Sequence, residues 1–176
     1  MSRLSLIAML PAGLLAAPGV AQNLVNNLSL SEGVYGPTHW SLNRAADRRV
    51  DWYHAGEAHA LRLNGTGEDW AGATSARVAV TPGEKLTVAA WVRTDQQVHD
   101  RDRLYVRFFS TARFLGQQGP ALPAGAGAWT LVEATVTAPE GADFADLSLQ
   151  IWSSGSVYMA SPGLFRGEVD ASAVST

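Results

Sequence analysis

What most constrains the fold of this chain is a rhythm of short apolar alternations, broken at regular intervals by glycine and proline. Leu86, Val88, Ala90 and Val92 alternate with Thr87, Ala89, Trp91 and Arg93. Residues two apart share one face of a strand, so one set is buried and the other turns away. Leu104, Val106 and Phe108 repeat the pattern against Tyr105, Arg107 and Phe109, and Leu147, Leu149 and Ile151 repeat it against Ser148, Gln150 and Trp152. Weaker strand signals cover Ala58 to Leu63, Ala76 to Val80, Trp129 to Thr137 and Val157 to Phe165, the last with a bulge expected at Pro162-Gly163. The runs Thr81-Pro82-Gly83-Glu84 and Ala138-Pro139-Glu140-Gly141 are turn signals, since proline presets φ and glycine permits positive φ. No helical period is sustained, and only a turn of helix is expected near Asp143 to Asp146. Gly116 to Gly127 reads as a loop within the domain. Many short strands with Gly/Pro punctuation predict an all-β sandwich of the jelly-roll type.

The chain has 176 residues, enough for one domain and tight for two. Hydrophobic residues at 47% against 16% charged suit a packed core. A net charge of −3 offers no basic field for nucleic acid. The absence of cysteine excludes disulfides, thiolate metal sites and cysteine nucleophiles. At the N-terminus, Arg3, an apolar run from Leu4 to Leu15 and the small residues Gly19-Val20-Ala21 have the order of a cleavable export signal. The expected organisation is a signal peptide over 1–21, one binding domain over 22–168 and a flexible tail over 169–176. A secreted, periplasmic or cell-surface location follows, with no membrane span once the leader is removed.

Four segments carry a resemblance. They are Asn23 to Gly33, Gly56 to Leu63, Val80 to Thr94 with its Pro-Gly turn and Trp91, and Trp129 to Pro139. Together they resemble the galactose-binding-like jelly rolls, a family that includes the carbohydrate-binding modules appended to glycoside hydrolases. The resemblance implies a β-sandwich, a glycan or polysaccharide partner and binding without catalysis. Relatives build a structural calcium site from an acidic residue in the first strand and aspartates in the last. Here Ser31 stands at the first place with Glu32 beside it, and Tyr158 to Pro162 holds no aspartate. Calcium wants six to eight oxygen ligands with carboxylates among them, so calcium is disfavoured and no cofactor is expected.

Sugars are held by aromatic faces and by polar side chains that bond hydroxyls. One candidate set lies on the non-core faces of three strands: Arg93 beside Trp91, Arg107 beside Tyr105, and Gln150 beside Trp152. A second set lies among turn-prone polar residues, with Trp52 and Trp70 foremost. Each has a structural alternative: tryptophans fill cores, loop aromatics plug the end of a sandwich, and Arg93 or Arg107 pairs with Asp95 or Asp102. No spacing of His, Ser or carboxylates marks catalysis. His54 and His59 fall on opposite faces if they share one strand, and no metal site is expected. Two functions remain: a secreted, non-catalytic carbohydrate-binding module, or a structural protein of the cell envelope that uses the sandwich to contact another protein. An open face favours the first, and a face filled by Gln117 to Ala128 favours the second.

Overall fold

The computed structural model describes residues 22–27, 29–43, 49–55, 58–95, 99–125 and 127–170. The expected signal peptide and the end of the expected tail lie outside them. The described residues form β1 (Trp40–Leu42), β2 (Arg49–Ala55), β3 (Ala58–Thr66), β4 (Ala71–Ser75), β5 (Val78–Ala79), β6 (Lys85–Thr94), β7 (Arg103–Phe109), β8 (Phe114–Gln118), β9 (Thr130–Thr137), β10 (Phe144–Ile151) and β11 (Ser154–Arg166). They pair antiparallel in two sheets. Sheet I runs β1-β4-β10-β7-β8, with β5 on β10, and sheet II runs β2-β3-β11-β6-β9. Consecutive strands repeatedly change sheet, as in a jelly roll. Among the described residues no helix is long and apolar enough to cross a membrane.

The alternation explains the sandwich. Leu86, Val88, Ala90 and Val92 face inward from sheet II, and Leu104, Val106, Phe108, Leu147, Leu149 and Ile151 face inward from sheet I, all fully buried. Leu61, Leu63, Met159 and Leu164 complete the same core. Burying a Leu or Ile side chain contributes about 1.5–3 kcal/mol. The two inward sets therefore hold the sheets together without disulfides.

The corners are closed by carboxylates. Glu84 accepts from the Thr81 amide at 2.9 Å and from its hydroxyl, closing the turn before β6, and Arg166 bonds its other oxygen. Burial alone would raise the Glu84 carboxyl, but the Thr81 and Arg166 donors outweigh it and hold the group below the usual glutamate range. Asp102 is fully buried before β7. It accepts from the amides of His99 (2.9 Å), Trp152 (2.5 Å) and Ser153 (3.2 Å) and from the Ser153 hydroxyl (2.5 Å). This pins the two residues in which the chain passes from β10 to β11, from one sheet to the other.

Several sequence expectations need correction. Phe144 opens β10, and Asp143 accepts the Thr111 amide and hydroxyl at 2.7 and 2.8 Å, so no helical turn forms at 143–146. Asn23 makes only an isolated bridge to Phe165, and no named strand covers the described residues of Asn23 to Gly33. The loop read over Gly116 to Gly127 begins inside β8. His54 and His59 are register partners across the β2–β3 hairpin, not members of one strand. The bulge expected at Pro162-Gly163 is present, as a register shift between Ala160 and Gly163.

Candidate functional site

The outward face of sheet I carries a groove. Antiparallel register sets its floor: Thr74 lies beside Ser148, Gly72 beside Gln150, Ser148 beside Tyr105, and Asp146 beside Arg107. A pocket of about 460 Å3 is lined by Ser41, Leu42, Asn43, Trp70, Gly72, Thr74 and Arg107. That volume is within the range of small-ligand sites.

Trp70 owes its place to a glycine. Residues 70 and 72 share a face, and a Cβ on Gly72 would stand 2.6 Å from Cζ3 and 3.0 Å from Cε3 of Trp70. The indole therefore lies down on the strand where a side chain would otherwise stand, half-buried at the groove. Beside it the floor is polar. Gln150 Nε2 donates to Ser148 Oγ at 3.2 Å, and Ser148 Oγ lies 3.0 Å from Thr74 Oγ1. Ser148 is fully buried and orients its neighbours, which leaves the Thr74 hydroxyl and the Gln150 amide beside an aromatic face, chemistry that suits a sugar ring.

Arg107 closes one side. Its Nε and Nη2 donate to Asp146 at 2.7 and 2.8 Å, in a bidentate pair. Asp146 is 2% exposed, and Arg77 lies 3.9 Å from it as a second cation. Both Asp146 oxygens are thus occupied by the pair. The Arg77 guanidinium lies 3.7 Å over the Phe109 ring, and exposed Phe114 packs edge-on against Phe109 at 5.5 Å, extending the aromatic face to β8.

Four of the residues singled out in the sequence meet on this sheet: Trp70, Gln150, Tyr105 and Arg107. Arg93 and Trp52 lie on the other sheet, and Trp152 sits at the end of this one. Arg93 belongs to β6 in sheet II, so its outward face is on the far side of the sandwich from Arg107. Alternation fixes the face of a strand but not its sheet. There the Arg93 guanidinium stacks on Tyr158 at 4.0 Å and reaches Trp129 at 5.8 Å. Asp95 lies 3.4 Å from Arg93 Nε, without the alignment of a hydrogen bond. Trp52 stands on β2, not a loop, and its indole donates to the Leu30 carbonyl at 2.7 Å, which ties the N-terminal segment to sheet II. Trp152 sits just past β10 at the end of sheet I, its amide held by Asp102 and its ring under the Arg101 guanidinium at 5.3 Å.

None of the described residues after β8 lines the groove pocket. Leu104 donates to Pro120, Arg103 Nη1 bonds the Gly119 carbonyl at 3.2 Å, and Leu122 donates to the Asp102 carbonyl. Residues 119–122 thus run along the free edge of β7, and Pro123 and Gly127 are bonded to Thr94 of β6. Among the described residues no group of three or more His, Asp or Glu side chains is placed to hold a metal.

No family model matches the chain, and no curated protein matches it. Solved structures match in fold at low identity. The enzymatically active domain of tailspike protein 4 from bacteriophage CBA120 is 15% identical, with a TM-score of 0.60, over 74% of this chain and 20% of that one. This chain thus spans a fifth of the tailspike structure's length. A cyclase from Fischerella sp. TAU is 10% identical, with a TM-score of 0.59, over 86% and 98% of the two chains. The CBM22-1 xylan-binding domain of Paenibacillus barcinonensis Xyn10C is 12% identical, with a TM-score of 0.54, over 85% and 100%. CBM4 and CBM61 modules are further neighbours. The fold is that of the β-sandwich carbohydrate-binding modules, and enzymes are built on it too.

Proposed function

We propose that this protein binds a glycan, without catalysis, in the groove on the outward face of sheet I. One observation carries the reading: the Trp70 indole laid on Gly72, beside the Thr74–Ser148–Gln150 polar row and the Arg107 guanidinium. An aromatic face takes the apolar side of a pyranose, and Thr74, Gln150 and Arg107 take its hydroxyls. The recurrence of carbohydrate-binding modules among the fold neighbours agrees with this chemistry. The bidentate pairing of Asp146 with Arg107 gives that carboxylate a structural place beside the groove, which agrees with binding without turnover. Export through removal of 1–21 completes the proposal, and N-terminal sequencing of the protein from its native host would test that step.

The test of binding is affinity electrophoresis through gels containing xylan, mixed-linkage glucan or galactan. Retardation of the wild type by one of them, lost in Trp70→Ala, is the expected result. Equal mobility in every gel would send the search to an envelope protein partner.

A further inference from the structure

We infer that the groove continues past the edge of sheet I into a second, preformed subsite at Tyr35, which takes further sugar units of the same chain. This rests on the glycan reading above. β1 is the edge strand, and a second pocket of about 390 Å3 is lined by the segment Gly33 to Thr38 together with Trp40 and Leu42. Leu42 lines both pockets, so the two adjoin at β1.

Val34 and Tyr35 are 83% and 89% exposed, the most exposed large apolar side chains among the described residues. They are presented by a loop closed at its base. Asn27 Nδ2 donates to the carbonyls of Glu32 (2.8 Å) and Thr38 (3.1 Å), its Oδ1 accepts the Glu32 amide (3.1 Å), and the Thr38 amide reaches the Glu32 carbonyl (2.7 Å). Within the loop, Gly33 at φ 142° lets the Gly36 carbonyl come so near that a Cβ would stand 1.9 Å from its oxygen. A side chain at 33 is therefore excluded, and the backbone that carries Tyr35 is held in one arrangement. Pre-organisation of this kind spares a ligand the entropy of ordering the loop.

Trp40 belongs to the core and backs this pocket, so the aromatic face offered to a ligand is that of Tyr35. The subsite thus repeats the aromatic half of the first, a ring that takes the apolar side of a sugar. From β7 to β1 the groove crosses three inter-strand steps, ~14 Å at about 4.8 Å each, and the loop lies beyond. A single sugar unit cannot reach from Arg107 to Tyr35, whereas a chain can.

The experiment is titration calorimetry of the full chain with xylo-, cello- and β-1,4-galacto-oligosaccharides from disaccharide to hexasaccharide, using wild type, Tyr35→Ala and Trp70→Ala. Wild-type affinity is expected to climb with ligand length. Tyr35→Ala should bind the disaccharide as the wild type does and lose about fivefold on the hexasaccharide. Thermal unfolding of the same samples checks that each variant is folded. Trp70→Ala should lose affinity at every length. A Tyr35→Ala protein that matches wild type at all lengths, while Trp70→Ala is weakened, would overturn the subsite and leave the glycan reading standing. A wild type that binds none of these sugars would overturn both.

Discussion

Adding one methyl group at Gly72 separates the position of Trp70 from its presence. In Gly72→Ala the new Cβ would stand 2.6 Å from Cζ3 of the indole and 3.0 Å from Cε3, with the Leu149 carbonyl oxygen at 3.1 Å. Carbon atoms in ordinary contact are about 3.5–4.0 Å apart, so the ring must retreat by about 1 Å. Pushed off the strand, the ring holds a stacked sugar that much farther from the polar floor, and a gap of that size forfeits a quarter to a half of each contact's attraction there. Against a sugar stacked on the indole the loss is about 1 kcal/mol, or about fivefold in Kd. The fold should tolerate the change. Alanine restricts the unfolded chain by about 0.4–1 kcal/mol, which offsets part of the crowding, and net stability should move by less than about 1 kcal/mol. Calorimetric titration with the best glycan, beside thermal unfolding of the same samples, reads both quantities. A Gly72→Ala protein with wild-type affinity, where Trp70→Ala is weakened, would refute the claim that the indole works from its seat on Gly72.

Three further outcomes follow from the carboxylates. Asp102→Asn turns one acceptor oxygen into a donor facing the His99 amide and the Ser153 hydroxyl; it should cost about 2–4 kcal/mol in urea unfolding, whereas a loss under about 0.5 kcal/mol would remove Asp102 from the corner. Arg107→Met leaves buried Asp146 with only Arg77, 3.9 Å away, and should destabilise by about 3 kcal/mol, most of it recovered in the double variant with Asp146→Leu. Unfolding of both variants in denaturant tests this, and additive losses would contradict it. The lowered Glu84 carboxyl stabilises the fold above the usual glutamate range, and that contribution fades as pH falls through its lower native value. Glu84→Gln should therefore be less stable than wild type by about 1 kcal/mol at neutral pH, with the gap closing below pH ~4 in thermal unfolding scans. A gap unchanged by acid would contradict the assignment.

The sandwich was legible because three strands bury one whole face each. β6, β7 and β10 present uninterrupted apolar sets to the core, and alternation is unambiguous there. It failed where burial leaves no such pattern. β4 is Ala-Gly-Ala-Thr-Ser, small on both sides, and β8 is an edge strand ending in Gly-Gln-Gln. Sheet membership depends on partners distant in sequence, which is why Arg93 and Arg107 looked alike along the chain and lie on opposite sides. The pairing of Arg107 with Asp146, not with Asp95 or Asp102, has the same origin: residues 39 apart become register partners only once β7 and β10 align. One local sign of the groove was available, an aromatic residue two places from a glycine at Trp70 and Gly72, the spacing that lets a ring lie flat on a strand. Tyr35 left none, because in Gly33-Val-Tyr-Gly-Pro37 it reads as an ordinary turn residue.

Whether a glycan is held on the outward face of sheet I can be read from the tryptophan indole resonances of an isotope-labelled sample. The chain has six tryptophans, each a separate reporter. Trp70 lines the groove, Trp52 is bonded to Leu30, and Trp129 lies 39% exposed on the other sheet. On titration with the polysaccharide that retards the protein, a large shift of the Trp70 indole and of the Arg107 side chain is expected, with Trp129 and Trp52 unmoved. Shifts confined to Trp129 and the Arg93 cluster would contradict it, placing the ligand on the opposite face.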